Sequence, residues 1–481
     1  MSPLSASKQR KQAKVSFLCQ ECGHASPKWE GKCSACGAWN TYVEFHEPTA
    51  RPGHAASRSP GAAGGGRLGI AMQAAPAASV APIDEQPSQV GRRIPIGMPE
   101  VDRLLGGGIV AGAVMLIAGD PGIGKSTLLL QAAANLTAAG QRVLYVSGEE
   151  SGSQVRLRAE RLGLAQRGVL FLAETSADAL MDHLARVQPG ALIVDSIQTL
   201  STELAPSGAG SVAQVRECAQ LLLRWAKTAN APVFLAGHVT KEGGIAGPRV
   251  LEHMVDVVVQ MEGEGLNAYR MLHCTKNRFG ATNDVALMEM RQEGLIDVAD
   301  PSAALIGERQ EGVPGSAITV ALEGTRPLLA EVQALTNFST FTPPRRASNG
   351  IDYNRMAMLA AVLSRRAGLS LGNQDIMVNV PGGLRVGEPA ADLATALAIA
   401  SSFRDAPLDA RTVFLGEVGL NGEVRRVPQL ERRLTEAVRH GFQRALVPAH
   451  ESVAELRVAG MTLVPVSSVR EALRLAIGRS D

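Results

Sequence analysis

No run of eighteen apolar residues occurs in this 481-residue chain, and its start, MSPLSASKQRKQAKVSFLC, lacks the apolar stretch of a secretory signal. These absences argue against export and against insertion of a helix into a bilayer, since a span needs about 20 apolar residues. A cytoplasmic protein with no membrane partner is expected. Net charge is almost absent too, at +2, with 20% charged and 45% hydrophobic residues, the composition of an ordinary soluble protein. The balance is uneven. Lys8, Arg10, Lys11, Lys14, Lys28 and Lys32 face only Glu21 and Glu30 within the first forty residues, a modest signal for an anionic partner. Cysteine is limited to six residues, four of them between 19 and 36. In a reducing compartment such crowding points to metal rather than to disulfides.

Composition divides the chain. A Cys/Gly/Trp segment, residues 15–46, precedes Ala/Gly/Pro/Ser-rich sequence with almost no aromatic residues or apolar periodicity, which reads as a flexible linker over 47–90. From 91 to 297 short apolar runs (AVMLIAG, RVLYVSG, ALIVDS, APVFLAG, VDVVVQM) alternate with longer amphipathic stretches such as SVAQVRECAQLLLRWAKTAN. That alternation predicts an α/β domain with a largely parallel, buried sheet. Residues 300–481 change style, with helical patterning at YNRMAMLAAVLSRRAG and DLATALAIASSF and strands at TVFLGEV and RALVP, and read as a separate α+β domain.

After the apolar run AVMLIA comes GDPGIGKST, made of Gly119, Asp120, Pro121, Gly122, Ile123, Gly124, Lys125, Ser126 and Thr127, and then a helical LLLQAAANL. This is the G-x-x-x-x-G-K-[ST] pattern in its required strand–loop–helix setting. Glycines let backbone amides turn toward phosphate oxygens, and the helix N-terminus adds partial positive charge. Lys125 is then expected on the β- and γ-phosphates of ATP and Ser126 on Mg²⁺. ALIVDS ends in Asp195, a carboxylate placed to orient the Mg²⁺ shell from the adjacent strand tip, or else a plain turn former. VLYVSGEES ends in Glu149 and Glu150. Glu149 is the candidate general base for an attacking water; the bland alternative is a carboxylate capping the next helix.

Cys19, Cys22, Cys33 and Cys36 form C-x₂-C-x₁₀-C-x₂-C, two knuckles able to give four thiolates to one Zn²⁺. Four protein ligands leave no open position, so the metal is expected to fold a small module. Lys28, Trp29 and Lys32 lie between the knuckles, as contacts to DNA or protein or, for Trp29, as the module's core. Cys218 and Cys274 read as core residues.

KNRFG, residues 276–280, combines two cations, an amide, an aromatic and a glycine. It is either a solvated basic turn or a pair of cations, Lys276 and Arg278, reaching a phosphate held elsewhere. Taken together, PEVDRLLGGGIVAGAVMLIAGDPGIGKST, YVSGEES, LIVDSIQT, GHVTKEGGIAGPRVLEHMVDVVV and KNRFG resemble the bacterial RadA (Sms) family of DNA-repair proteins, relatives of the RecA recombinase. The cysteine segment is similar to that family's zinc module and the tail to its Lon-protease-like domain. The resemblance implies a RecA-like P-loop ATPase core flanked by a four-cysteine zinc module and an α+β Lon-like domain. It also implies an ATP-driven motor that promotes branch migration on single-stranded and branched DNA, a hexameric ring, and recombinase RecA as a partner. By the same resemblance Lys276 and Arg278 approach the nucleotide of the adjacent subunit, the glycine-rich KEGGIAGPR, with Lys241 and Arg249, faces DNA, and His238 is a sensor at a strand tip; from the residues alone the loop reads equally as a disordered surface loop and His238 as a structural residue. A RecA-fold ATPase that remodels protein partners without DNA is the alternative.

The tail raises a rival activity. Lon-type proteolysis needs a serine activated by a lysine. Here the turn reads E-P-A-A-D, with Ala390 at the nucleophile position and Glu431 at the lysine position. Without an oxygen nucleophile no acyl-enzyme forms, and a scaffold or DNA-binding role is expected. Arg385, Arg425, Arg426, Arg432 and Arg433 are then candidates for a basic face, or simply solvated charges.

Overall fold

Three short strands, Val15–Cys19 (β1), Ala25–Ser26 (β2) and Tyr42–His46 (β3), pair antiparallel in the order β2-β1-β3. Cys33 and Tyr42 are buried at their centre with Phe17 packed on them. Trp29 is exposed, so it is not this module's core. The computed structural model describes residues 92–238, 251–263, 268–282, 284–450 and 456–477, with 15–19, 25–26, 28–34, 37, 39 and 42–46 of the N-terminal segment. No helix among the described residues is long and apolar enough to cross a membrane.

Arg93–Ile94 (β4) and Ile109–Val110 (β5) pair around the helix Pro99–Leu104 (α1) and lead into the large sheet. Its strands are Val114–Gly119 (β6), Val143–Ser147 (β7), Leu170–Ala173 (β8), Ala191–Asp195 (β9), Val233–His238 (β10), Val257–Glu262 (β11), Tyr269–Asn277 (β12), Val285–Arg291 (β13) and Gly294–Asp297 (β14). Their order is β14-β13-β12-β11-β6-β10-β9-β7-β8. From β11 to β8 neighbours are parallel, joined by crossovers that include Lys125–Ala138 (α2), Gly152–Arg161 (α3), Ala177–Val187 (α4) and Val212–Ala229 (α5). β12 to β14 are antiparallel because their connections are too short for a crossover.

Alternation along β6 shows why its run is apolar throughout. Val114, Leu116 and Ala118 enter the core under α4 and α5, while Met115 and Ile117 enter the core under α2. Cys218 and Cys274 lie in these two cores, and burial pushes their thiols up to about 12 and about 11.

The C-terminal half forms a second sheet from Ser316–Glu323 (β15), Arg326–Phe338 (β16), Arg346–Asn349 (β17), Gln374–Asn379 (β18) and Thr412–Phe414 (β19). A small pair, Glu417–Val418 (β20) and Val424–Arg425 (β21), precedes its last strands, Arg444–Pro448 (β22) and Thr462–Val466 (β23). The order is β17-β18-β16-β15-β19-β22-β23. The helix Asp392–Arg404 is the Ala-rich centre of this unit, buried from Asp392 to Ser401. The halves meet through Arg326, whose guanidinium lies 2.5 Å from the Glu100 carboxylate on α1, itself paired with Arg103.

Arg433 does not belong to a basic face. It is 0% exposed, grips both oxygens of Glu388 at 2.5 and 2.6 Å, and donates to the Val320 and Pro428 carbonyls. Arg385, Arg425, Arg426 and Arg432 are exposed. The helix Leu430–Arg439 explains the difference, because its amphipathic turn sends Arg433 inward with Leu434 and Ala437. Arg433→Ala empties the buried guanidinium site and leaves the half-buried Glu388 carboxylate unpaired, and is expected to cost about 3 kcal/mol, read as a shift in urea unfolding of the C-terminal half. Ala390 is buried beside this ion pair and Glu431 is exposed.

A cleft of about 370 Å³ separates the halves, lined by Asp120, Glu262, His273, Glu323 and Arg385 among others. Burial, with the charges of Glu388 and Glu262, raises Glu323 from its ordinary 4.5 to about 7. The folded state therefore holds this proton more tightly than the unfolded chain, and stability is lost as pH rises from about 4.5 to 7. Glu323→Gln is expected to raise the melting temperature at pH 8 and to leave it unchanged at pH 4.5.

Candidate functional site: a phosphate cradle and a distant basic turn

β6 delivers the chain to Gly119, where a Cβ would stand 2.6 Å from the Met261 carbonyl of β11. At the other end of the loop Gly124 has φ +120°, and a Cβ there would meet the Met290 methyl at 2.6 Å. Only glycine fits both positions. α2 then starts at Lys125, so its first amides border the loop. Lys125 is 4% exposed, and its ammonium donates to the carbonyls of Gly119 and Asp120 at 2.8 and 2.9 Å. Burial lowers its pKa, while Asp195, Asp120 and Glu149 push it back up. Those three carboxylates thus lie around one cation, and Asp195 and Ser126 are the donor types that suit Mg²⁺ on a nucleotide.

Asp195 ends β9, but β10 lies between β9 and β6, so the carboxylate reaches the cradle from the second strand over rather than the adjacent one. It is buried and accepts a hydrogen bond from Tyr145 Oη at 2.7 Å. Glu149 follows β7, and Ser196 Oγ donates to its Oε1 at 2.8 Å, which holds it beside Asp195. Glu150 is turned away into a two-pronged pair with Arg158, at 2.7 and 2.5 Å. The start of α3 is served by Ser151 and Gln154, whose Oε1 accepts from the Ser151 amide at 2.8 Å, so capping does not occupy Glu149. Ser126 and Thr127 sit half-buried in the first turn of α2.

KNRFG lies elsewhere. β12 runs antiparallel to β11, so Asn277 pairs with Val257, which pairs with Met115, four residues before Gly119. That is roughly 13 Å along the strand direction, at the opposite end of the strands from the cradle. Arg278 donates its amide to the Asp256 carbonyl at 3.0 Å, and its guanidinium lies 3.3 Å from the Asp256 carboxylate with the side chain 50% exposed. Lys276 is committed to the Glu252 and His253 carbonyls at 2.6 and 3.3 Å. Partial burial and Arg278 lower its pKa. The structure does not bring these cations to the chain's own Lys125.

Lys241 and Arg249 lie outside the described residues, as does the His238 side chain at the end of β10. So do Cys22, Cys36 and the side chain of Cys19. Cys33 is buried, and Tyr42 Oη donates toward its sulfur at 3.6 Å, a contact that suits a thiolate ligand.

Three positioning residues and one buried amide escaped sequence reasoning. Tyr145 and Ser196 hold the two carboxylates; a tyrosine inside an otherwise apolar strand was the available signal for the first. Arg93 fastens the basic turn, donating to the carbonyls of Leu105, Gly108 and Phe279 at 2.5, 3.2 and 2.7 Å. Nothing local marks it, since its partner is 186 residues away. Gln198 has both amide atoms buried without a partner among the described residues, and it lies 3.9 Å from where a Gly237 Cβ would stand.

Residues 81–244 match the family described as AAA domain, 347–451 that of subunit ChlI of Mg-chelatase, and 17–44 the rubredoxin metal binding domain. The chain is 46% identical over 465 residues to the DNA repair protein RadA of Bacillus subtilis, covering 97% of this chain and 99% of the relative. With that of Pseudomonas aeruginosa the identity is 47% over 463 residues, covering 96% and 98%. With that of Aquifex aeolicus it is 43% over 462 residues, covering 96% and 99%. Two solved structures are more distant. A KaiC-like protein of Pyrococcus horikoshii is 19% identical with a TM-score of 0.37, covering 43% of this chain and 99% of that one. The RadB recombinase is 22% identical with a TM-score of 0.35, covering 42% and 98%. The strand order and cradle are those of a RecA-like P-loop ATPase, and near-complete alignment at this identity extends the likeness through both flanking units. The chain belongs to the RadA family of DNA repair proteins.

Proposed function

We propose that the protein is a DNA-dependent ATPase and helicase that promotes branch migration of recombination intermediates, working as a homo-hexameric ring alongside recombinase RecA. The observation that carries this reading is the distance between the phosphate cradle and the basic turn. Lys125 and Arg278 sit at opposite ends of the strands of one sheet, so a site containing both calls for two copies of the chain.

In that site Lys125 and the loop amides bind the ATP phosphates, while Ser126 and Asp195 hold Mg²⁺, which supplies charge neutralisation on the β- and γ-oxygens. Glu149, steadied by Ser196, takes the proton of the attacking water. Arg278 of the adjacent copy meets the charge that develops on the transferred phosphoryl group, with Lys276 beside it. Lys241 and Arg249 track DNA phosphates, and Cys19, Cys22, Cys33 and Cys36 hold Zn²⁺ as a fold-forming site. The C-terminal half, with Ala390 where a nucleophile would stand, serves as a scaffold.

Steady-state ATP hydrolysis with and without single-stranded DNA, at fixed low salt and with Lys125→Ala as the blank, tests the reading. Stimulation by DNA is expected. A Lys125-dependent rate that ignores DNA would favour an ATPase that remodels protein partners instead.

A further inference from the structure

The chain has three tryptophans, and two of them stand on the surface of the N-terminal module. Trp29 is 54% exposed and Trp39 69%, whereas Trp225 packs against the core beneath α5. The module's own core is supplied by Cys33, Tyr42 and Phe17 and uses neither indole. Large apolar rings left in water mark interaction surfaces.

Their neighbours identify the partner. Lys32 and Trp39 form an antiparallel bridge, and the Lys32 ammonium lies 5.5 Å from the Trp39 ring centroid. The Trp29 ring lies over Gly31, the residue before Lys32, where a Cβ would come within 3.9 Å of it. Lys28 is exposed on the other side of Trp29. Here Lys28, Glu30, Lys32 and Ser34 are all exposed and polar. Within residues 15–46 Lys28 and Lys32 stand against Glu21, Glu30 and Glu44, so the positive charge at this end of the chain is local to the rings and to Lys8, Arg10, Lys11 and Lys14 ahead of the module in sequence. Indoles interleaved with lysines suit a flexible polyanion with π faces: bases stack on the rings and ammonium groups meet the phosphates.

We propose that Trp29 and Trp39, with Lys28 and Lys32, form a single-stranded nucleic-acid contact separate from the segment bearing Lys241 and Arg249. It rests on the reading of the chain as a DNA-acting protein and assigns a strand-binding role to the zinc module. Binding there is indifferent to base identity, because every base has a π face, and weakens with salt.

The experiment is a titration of the full-length, zinc-loaded protein with oligo(dT), followed by tryptophan emission without nucleotide. Saturable quenching that weakens with added salt is expected. The double variant Trp29→Ala/Trp39→Ala keeps Trp225 as its one indole, so its affinity is read from the anisotropy of fluorescently labelled oligo(dT); it should bind roughly ten-fold or more weakly. Trp29→Phe/Trp39→Phe should recover the affinity, and retained zinc reports that the module is folded in both. Unchanged affinity of the alanine variant with zinc retained overturns the proposal. So does wild-type emission that ignores oligo(dT) but shifts on addition of a recombinase, which makes the surface a protein contact. DNA-stimulated hydrolysis with silent indoles removes this surface and leaves the motor standing, whereas quenching with DNA-indifferent hydrolysis keeps the surface and removes the motor.

Discussion

Replacing Arg278 by alanine is expected to lower ATP hydrolysis roughly 10³-fold and leave nucleotide affinity nearly intact. The reason is geometric. The Arg278 side chain is half exposed beyond the end of β12, tethered to the body of its own chain by a single 3.3 Å contact with Asp256. Asp256 is itself held by the Val114 amide at 3.1 Å, at the start of the strand whose far end carries the cradle. Under the proposed reading, a cation so placed acts on the neighbour's transition state rather than on phosphate binding in its own subunit. Mixing supplies the decisive measurement. Subunits with Arg278→Ala retain a working cradle and subunits with Lys125→Ala retain a working finger, so a mixed assembly recovers part of the activity that each lacks alone. No recovery on mixing, or normal turnover by Arg278→Ala, would rule out action across an interface.

The second large effect is expected at Glu149. Glu149→Gln keeps the shape of the side chain and its ability to accept from Ser196 Oγ, but removes the base. Hydrolysis should fall by roughly 10²–10⁴ with ATP binding retained, the range for loss of a positioned general base. Glu150→Gln is the control, because Glu150 is spent on Arg158 and takes no part in the cradle; its rate should stay within a few-fold of the parent. Equal losses in the two variants would mean that both act through the β7–α3 turn and that neither is the base.

The legibility of this site followed the length scale of its interactions. The cradle was readable because strand, glycine loop and helix are contiguous, and their chemistry is imposed by the backbone. Glu149 and Glu150 are adjacent in sequence, and what separates them, Ser196 on one side and Arg158 on the other, comes from two different crossovers. Asp195 was identified from its strand end, yet its distance from the cradle by one intervening strand was not, since strand order is a matter of which crossover passes over which face. Arg433 was read with the exposed arginines around it because charge alone carries no direction. The helix phase and the waiting Glu388 carboxylate, 45 residues away, turn it inward. Trp29 shows the opposite case, open in sequence between a surface contact and the module's core, and left outside because Tyr42, Cys33 and Phe17 already fill so small a core.

By itself the sequence determined the chemistry available to this protein: a triphosphate cradle, a four-thiolate module and a Lon-like unit without a nucleophile, each written in residues close together along the chain. Only the tertiary structure decided that the cradle and the KNRFG turn stand at opposite ends of neighbouring strands of one sheet. Register between β6, β11 and β12 places residues more than 150 positions apart, and that register depends on packing both faces of the sheet at once.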